Sequence, residues 1–405
     1  MNAQHYDYLI VGAGMAAACA AQGIRTQDDS GSIGMLGDDA DPPATRPALS
    51  KKLWLDETFS LQAIWMHPEQ STGAELHLNH RVIDIDREAH TVLCANQARF
   101  HYGKLLLATG GKPALQQLQP SERVLYFRTV ADYRVLRAWS YAGEPLHVAV
   151  VGGSWLGMEL AAALCQQDDV NVQWVLSAPT PGADRFPAEL SARLQRTFEA
   201  HGVELYAENH VLQGEEHDDG VSLILEDGSD FNADVVVMCT GIAPCDALAH
   251  QSGLAADNGI NVNEYLQTAD PDIFAAGDIA YYQDARLGWQ RVEHVDNAQT
   301  MGHWAGRNMA GASEAYTHTP YFYTRLFDLE IKGVGQLDAE LQQVCHWHRS
   351  PTQTAPPCGV VCYIGDDGHV AGVGLVNISD ADNGLAWAYS VVGTRDSTAP
   401  QHLFS

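Results

Sequence analysis

The feature that most constrains the fold is a strand, glycine turn and helix pattern that occurs twice. An apolar run over residues 8–11 leads into Gly12-Ala13-Gly14 and an Ala-rich segment, and a second run over 146–151 leads into Gly152-Gly153-Ser154 and a helical segment. Small residues in such turns let the backbone approach a pyrophosphate, and the helix N-terminus offers oriented N–H groups. One such turn is weak support, since tight turns also arise for structural reasons. Two in one chain predict two nucleotide sites.

Further apolar strands end in small residues and complete this pattern. The run 104–107 leads into Thr109-Gly110-Gly111, and the run 235–238 leads into Thr240-Gly241. A third run, over 273–276, ends in Gly277-Asp278. A carboxylate at that position can accept hydrogen bonds from a polyol such as a ribityl chain, whereas the structural alternative is that Asp278 caps the next helix. The order of the runs predicts a first nucleotide fold that is interrupted by a second.

The predicted fold class is α/β, with two Rossmann-like dinucleotide-binding domains and a small α+β C-terminal domain. We expect the first domain over 1–121 and 245–319, and the second over 122–244. After residue 320 the chain changes to short β-like runs separated by turns, which predicts the third domain over 320–405.

Charge and hydropathy exclude several classes of function. The chain has 51 acidic and 23 basic residues and a formal net charge of −28, which opposes binding to nucleic acid or to an anionic membrane surface. No stretch approaches the roughly 18 apolar residues of a membrane-spanning helix, and the N-terminus lacks the pattern of a signal peptide. We therefore expect a cytoplasmic protein with no nucleic-acid partner and no membrane insertion.

Cysteine and histidine give no strong signal. The eight cysteines include no CxxC pair, so we expect most of them to be reduced and buried. His346-Trp347-His348 puts two histidines on one face of a predicted strand, and such histidines are more often solvated or in the core than bound to a metal. No metal site is expected.

Together these segments resemble the two-dinucleotide flavoproteins of the pyridine nucleotide-disulphide oxidoreductase superfamily. Within it they resemble the apoptosis-inducing-factor-like and ferredoxin-reductase-like NAD(P)H:FAD oxidoreductases. The superfamily resemblance rests on both glycine turns and on the segments that end in Gly110-Gly111 and Gly277-Asp278. The subgroup resemblance rests on the strings Arg46–Trp54, Arg291–Ala298, Ala305–Gly311 and Pro320–Thr324. Disulfide reductases of this superfamily carry a Cys-x4-Cys pair after the first site, but residues 39–60 contain no cysteine. The resemblance therefore implies an enzyme without an active dithiol.

The resemblance implies an FAD site built around the first turn. Asp38 would hold the adenosine ribose, Arg46 would reach the pyrophosphate, Lys51 would reach the isoalloxazine ring, and Asp278 would hold the ribityl chain. The implied FAD-binding positions are Gly12, Gly14, Asp38, Arg46, Lys51, Val82, Thr109, Gly110, Arg128, Gly277, Asp278, Glu293, His294 and Tyr323.

The resemblance also implies an NAD(P)H site around the second turn, with Lys51 and Glu159 as the catalytic pair. Trp155 stands where the subgroup has an aromatic residue that can cover the flavin, and Glu159 would pair with Lys51. The structural alternatives are a core tryptophan and a first-turn helix glutamate that the helix dipole favours. The implied NAD(P)H-binding positions are Gly152, Gly153, Trp155, Leu156, Gly157, Glu159 and Gly241.

One departure from the family concerns the choice of nicotinamide cofactor. The family often places an acidic residue after the strand 172–175 to hold the ribose of NAD, but this chain has Leu176-Ser177-Ala178 there. Arg185 is the nearest base for the 2′-phosphate of NADPH, and it stands next to Asp184. We expect NADH to be preferred over NADPH, with weak nicotinamide binding as the alternative.

The function that the resemblance implies is hydride transfer from NAD(P)H to FAD and then electron transfer to an acceptor. A small iron–sulfur protein, a quinone-like molecule and oxygen all stay open as acceptors, and the acidic balance disfavours an acidic ferredoxin unless a local basic patch exists. The alternative is a redox-sensing flavoprotein of the apoptosis-inducing-factor type. Such a protein forms a long-lived charge-transfer complex with NAD(H) and regulates partner binding or oligomerisation. A homodimer also stays open.

Overall fold

The computed structural model describes residues 4–141, 145–254 and 258–404. Their contacts group into two compact units. The first unit contains Met1–Thr45, Leu61–Lys112 and Ala243–Tyr321, and the second contains Arg46–Ser60, Pro113–Ile242 and Phe322–Ser405. The second unit thus holds both the second glycine turn and the C-terminal segment. The division into three domains stays a prediction.

The main sheet of the first unit carries the first glycine turn at the end of a buried parallel strand. Gln4–Val11 pairs in parallel with Ile33–Leu36 and with Arg99–Leu107, and Ile273–Ala275 pairs in parallel with Arg99–Leu107. Apolar side chains fill both faces of these strands, as a sheet covered on both sides requires. The remaining strands are Glu75–His77, Val82–Asp86 and Thr91–Cys94, of which the last two are antiparallel.

Two helices of the first unit, Met15–Arg25 and Val295–Met309, approach each other at backbone distance. A Cβ atom on Gly302 would lie 2.8 Å from the Ala16 Cα, and one on Gly306 would lie 2.8 Å from the Ala20 carbonyl carbon. This close packing explains why the first helix is rich in alanine. The other elements of this unit are the short helices Pro68–Thr72 and Ala247–Gln251, the 3₁₀ turn Leu61–Ile64, and the strands Ile260–Asn261, Ala280–Asp284 and Gly288–Gln290.

The parallel sheet of the second unit carries the second glycine turn. Leu146–Val151 lies between Val170–Val175 and Val235–Met238, and the outer strands are Glu204–Tyr206 and Val124–Tyr126. The helices of this region are Lys52–Leu55, Val130–Trp139, Trp155–Leu164 and Ala188–Ala200, preceded by the 3₁₀ turn Arg46–Ser50. An antiparallel sheet of Val211–Glu216, Val221–Leu225 and Asp230–Ala233 follows, and Gly111–Pro113 pairs with Ile242–Pro244.

The C-terminal part of the second unit is a sheet in which Leu329–Gly335, Val370–Val376, Cys358–Ile364 and Gln342–Arg349 pair in antiparallel order. Its strands in spatial order are Tyr321–Leu326, Leu329–Gly335, Val370–Val376, Cys358–Ile364 and Gln342–Arg349. The helix Gly384–Val391 and the 3₁₀ turns Asp380–Asp382 and Gln401–Phe404 complete the described chain. The predicted fold class, two Rossmann-like regions followed by a small α+β region, is confirmed. Within the described residues, none of the helices has the length and apolar character needed to cross a membrane.

Candidate functional site

In the first glycine turn, packing requires a glycine at one position, and open space lies beside the other. Gly12 has φ +124°, and a Cβ there would lie 2.7 Å from the carbonyl carbon of Ala108. Gly14 caps the helix with φ −99° and ψ −167°, and a Cβ there would meet no described atom within 4 Å. Packing within the sheet therefore explains Gly12, whereas the space beside Gly14 can receive a group from outside the protein.

The second turn has the same construction with a serine in the middle. Gly152 has φ +113°, and a Cβ there would lie 2.5 Å from the carbonyl oxygen of Cys239. Ser154 caps the helix, because its hydroxyl accepts from the Gly157 N–H at 3.2 Å and donates to the Cys239 carbonyl at 2.8 Å. A Cβ on Gly157 would overlap the Gly152 carbonyl oxygen. The serine thus holds the helix start against the neighbouring strand end.

Both turns fit the phosphates of a dinucleotide. Each lies at the carboxyl end of a parallel strand and opens a helix, so the free N–H groups and the helix dipole face the same space. The glycine that faces this space in the first turn, Gly14, has no side chain to fill it. Each unit therefore has one candidate phosphate cradle, at the start of the helix Met15–Arg25 in the first and of Trp155–Leu164 in the second.

The first unit also holds most of the other residues expected around FAD. Asp38 is exposed after the strand Ile33–Leu36, and its Oδ2 lies 4.0 Å from the Nε of Arg81. Thr109 donates its hydroxyl to the Cys245 carbonyl at 3.0 Å, and Gly110 has φ +63°. Val82, half-buried, begins the strand Val82–Asp86.

A single arginine links two of the expected residues that follow. The guanidinium of Arg291 donates to the backbone carbonyl of Asp278 at 2.9 Å and lies 2.6 Å from Glu293 Oε1. Asp278 is half-buried and follows Gly277, which has φ +82°. His294 occupies the N-cap position of the helix Val295–Met309. The structure thus gathers this group near one helix start.

The expected pair of Lys51 and Glu159 is formed within the second unit. The Lys51 Nζ lies 2.6 Å from the Glu159 Oε1, and the side chains are 15% and 9% exposed. Glu159 belongs to the helix that the second glycine turn opens, and Lys51 stands between the Arg46–Ser50 turn and the short helix Lys52–Leu55. The ring of Tyr323 lies 5.3 Å from the same Nζ, which adds a cation–π contact.

Two hydroxyl groups that sequence reasoning missed complete the surroundings of Glu159. Ser50 donates to Oε2 at 2.6 Å, and Thr324 donates to Oε1 at 2.7 Å. The carboxylate therefore accepts from two hydroxyls and one ammonium group, and both hydroxyl-bearing residues are buried. Each of them lies inside a string that carried the family resemblance. The strings mark both positions, but the sequence does not show that their hydroxyls reach Glu159.

Trp155 is held in an aromatic cluster within the second unit. Its ring lies 5.5 Å from that of Phe186 and 5.1 Å from that of Phe322, and the Arg185 guanidinium lies 4.9 Å above it. Arg185 also forms an ion pair with Asp184. The base considered for the 2′-phosphate of NADPH is therefore engaged by an aromatic ring and a carboxylate.

The remaining expected residues of the second unit are placed as follows. Arg46 begins the 3₁₀ turn and is half-buried, and the backbone N–H of Arg128 donates to Asp132 at 2.9 Å. Leu156 lies in the first turn of the helix after Ser154, and Gly241 has φ +89°. A Cβ on Gly153 would lie 3.5 Å from the Leu176 Cβ. The side chains of Lys51, Glu159 and Tyr323 form a set of direct contacts in this unit.

The cysteines form no redox pair. All eight lie within the described ranges, and none of them is part of a disulfide. Burial raises the pKa of the Cys19 thiol to about 11 and that of Cys165 to about 12, and it raises the pKa of Cys239 as well. Thiols of this kind stay protonated near neutral pH and are poor nucleophiles.

Comparison with known proteins identifies the family. The pyridine nucleotide-disulphide oxidoreductase family matches residues 6–302. The chain belongs to this family. It is 32% identical over 379 residues to the ferredoxin–NAD(+) reductase component of the anthranilate 1,2-dioxygenase system of Burkholderia cepacia, covering 92% of this chain and 91% of that protein. It is 28% identical over 403 residues to apoptosis-inducing factor 1 of Dictyostelium discoideum, covering 91% of this chain and 75% of that protein.

The fold of the chain also matches that of a solved reductase. The covalent complex of putidaredoxin reductase with putidaredoxin gives a TM-score of 0.87 and 26% identity, and the match covers 100% of this chain and 96% of that one. The predicted membership of this family and the predicted ferredoxin-reductase-like oxidoreductase class are both confirmed. Family membership implies FAD and NAD(P)H as cofactors.

Proposed function

We propose that this protein is an FAD-dependent reductase that oxidises NADH and passes electrons to a small iron–sulfur protein. The observation that carries the proposal is the pair of dinucleotide cradles, at Gly12 and Gly152, in a chain with no cysteine between residues 39 and 60. FAD, when bound, supplies the chemistry, because it accepts a hydride and can release electrons singly. Since the chain offers no dithiol beside the first cradle, a separate acceptor is favoured.

The chain's own residues would bind the two cofactors and place a positive charge beside the flavin ring. The Gly12–Gly14 turn would hold the pyrophosphate of FAD, and the Gly152–Ser154 turn that of NADH. Lys51, held by Glu159, would present a positive charge to the flavin ring and favour the arrival of electrons there. The roles of Asp38, Arg46, Val82, Thr109, Gly110, Arg128, Gly277, Asp278, Glu293, His294 and Tyr323 at FAD, and of Gly153, Trp155, Leu156, Gly157 and Gly241 at the nicotinamide cofactor, are part of this proposal.

The preference for NADH over NADPH is supported by the state of Arg185. A 2′-phosphate requires an accessible base, whereas the Arg185 side chain is 14% exposed, paired with Asp184 and stacked on Trp155. We expect kcat/KM for NADH to exceed that for NADPH at least about tenfold, which corresponds to one ion-paired hydrogen bond. Equal values for the two cofactors would contradict this preference.

The choice of an iron–sulfur acceptor is supported by two relatives, one a ferredoxin–NAD(+) reductase component and the other a reductase solved in complex with putidaredoxin. A quinone and oxygen are the competing acceptors. The net charge of −28 adds a condition, because an acidic partner is repelled unless it meets a local basic face. The cytoplasmic location and a homodimer stay predictions.

A second function, redox sensing, is favoured by one observation. Trp155 is packed against two aromatic rings and a guanidinium, so a nicotinamide ring that had to displace it would enter slowly. Slow reduction followed by a persistent long-wavelength absorbance and poor reoxidation would favour the sensor over the reductase.

Anaerobic stopped-flow reduction of the purified protein tests the proposal. Wild-type protein is mixed with NADH and then with a ferredoxin, a quinone or air, and fast reduction with ferredoxin-dependent turnover is expected. Lys51→Ala is expected to slow flavin reduction by about tenfold or more, or to lower the flavin potential. The adjacent exposed Lys52, whose Nζ lies 5.4 Å from the Phe59 ring, provides the matched control Lys52→Ala. A protein that cannot bind FAD would refute the proposal. A wild-type rate of flavin reduction and a wild-type flavin potential in Lys51→Ala would show that Lys51 has no part in the reaction.

A further inference from the structure

The C-terminal sheet contributes a buried hydroxyl to the Lys51–Glu159 pair. Thr324 lies on the strand Tyr321–Leu326 and is 1% exposed, and its hydroxyl donates to Glu159 Oε1 at 2.7 Å. The same oxygen accepts from Lys51 Nζ at 2.6 Å, whereas Ser50 donates to Oε2. All of these residues belong to the second unit.

A buried threonine hydroxyl needs an acceptor, and a backbone carbonyl would satisfy it. Other buried threonines of this chain use that solution: Thr72 and Thr268 donate to carbonyls within their own helix or turn. Thr324 instead donates to a carboxylate 165 residues away in the chain. Its hydroxyl thus fixes the position of the oxygen that holds the Lys51 ammonium group.

We propose that Thr324 is a positioning residue that orients Glu159, and through it Lys51, for reduction of the flavin by NADH. The inference rests on the proposed function, since it assigns a residue to the same reaction. Hydrogen bonds to charged groups are stronger than those between neutral groups, so loss of this one should loosen the pair measurably. Ser50 secures the other oxygen and limits the movement of the carboxylate.

The first test separates hydride transfer from binding. Thr324→Val keeps the shape of the side chain but removes the hydroxyl, and we expect the limiting rate of flavin reduction to fall about tenfold with the Kd for NADH unchanged. Thr324→Ser should return the rate to within about twofold of wild type, because it restores the donor. Thr319→Val is the matched control, since Thr319 is also buried and its hydroxyl lies 3.3 Å from the carboxylate of Asp284 in the first unit.

The second test reads the Lys51 amine directly and needs no turnover. Acylation of the folded protein by an amine-reactive reagent is followed by peptide mass spectrometry, with the exposed neighbour Lys52 as internal standard. The ratio of Lys51 to Lys52 labelling should rise about threefold in Thr324→Val and further in Glu159→Gln, because a looser ion pair protects the amine less.

A double-mutant cycle decides whether Thr324 acts through Glu159. The variant Glu159→Gln/Thr324→Val should be no slower than Glu159→Gln alone. Equal rate losses in both backgrounds would overturn the inference, as would wild-type rate and labelling in Thr324→Val. A lower melting temperature or FAD content with a normal rate in the FAD-loaded fraction would reduce Thr324 to a packing residue and also overturn it. A wild-type protein that NADH does not reduce would refute the proposed function instead, and the labelling test would still stand.

Discussion

Replacing the two glycines of the first turn by alanine should separate folding from cofactor binding. At Gly12 the backbone has φ +124°, and an added Cβ would lie 2.7 Å from the Ala108 carbonyl carbon and closer still to its oxygen. At Gly14 the backbone is extended, and the added methyl group would meet no described atom within 4 Å. Gly12→Ala should therefore damage the protein without any ligand, and Gly14→Ala should damage only the binding of FAD.

The expected magnitudes follow from these two environments. A positive φ costs alanine about 1–2 kcal/mol, and relief of the overlap at Gly12 requires the strand end at Ala108 to move. We expect Gly12→Ala to lower the free energy of unfolding by about 3–5 kcal/mol, which lowers the melting temperature of a unit of this size by about 6–20 °C. At Gly14 the methyl group reduces the freedom of the unfolded chain, so stability stays equal or rises by about 0.4–1 kcal/mol. Displacing the pyrophosphate from two N–H groups costs about 3 kcal/mol, or roughly 100-fold in the Kd for FAD.

Thermal unfolding of the FAD-free proteins and titration with FAD measure the two effects independently. Far-ultraviolet circular dichroism follows unfolding, and quenching of flavin fluorescence follows binding. The reasoning would be refuted if Gly14→Ala bound FAD with wild-type affinity, because the open space beside Gly14 would then not receive the cofactor. It would also be refuted if FAD-free Gly12→Ala melted at the wild-type temperature.

Three other predictions concern the ion pair, the acid limb of stability and the nicotinamide cofactor. Because Lys51 and Glu159 are largely buried, Lys51→Met should lower the free energy of unfolding by about 3 kcal/mol, and adding Glu159→Met should restore part of it. Urea unfolding measures both changes, and losses that simply add in the double variant would contradict the prediction. The backbone N–H groups of Ser30 and Gly31 lower the pKa of Asp28, so its contribution to stability is present above about pH 4 and lost as the pH falls below that value. Melting curves between pH 2 and pH 6 should therefore show a weaker acid dependence for Asp28→Asn. Ser177 is exposed and follows the strand Val170–Val175, where related proteins place an acidic residue for the ribose. Ser177→Glu should therefore lower the KM for NADH by about threefold to tenfold without changing the limiting rate. An unchanged KM in steady-state kinetics would show that the ribose binds elsewhere.

The fold could be predicted because its determinants are local. Apolar runs that end in Gly12 and Gly152 place strand, turn and helix in fixed order, and the structure has each of these elements where the sequence predicts it. The limits of the compact units could not be read in this way, because the segment Arg46–Ser60 joins the second unit through contacts that are distant in sequence.

The Lys51–Glu159 pair of the candidate site follows from the family resemblance, since the two residues are 108 positions apart and no local pattern joins them. The resemblance pointed to Lys51 and Glu159, and the structure brings them together. Ser50 and Thr324 were missed because a hydroxyl has no sequence signature for its acceptor, and the pairing of residues 159 and 324 exists only in the folded chain. Arg185 was considered as a phosphate ligand, but its contact with Trp155 depends on the loop before the helix Ala188–Ala200, which the sequence pattern does not specify.

The surroundings of Glu159 explain how a strongly acidic chain can keep a lysine in place at a buried position. Two segments that are far apart in sequence supply the three donors: Ser50 and Lys51 come from one, and Thr324 comes from the C-terminal sheet. A buried carboxylate with a single donor would be costly, whereas one with three donors is well compensated. The pair therefore depends on the C-terminal sheet being folded, because Thr324 reaches Glu159 only from the strand Tyr321–Leu326. The C-terminal segment therefore contributes a residue to the candidate site.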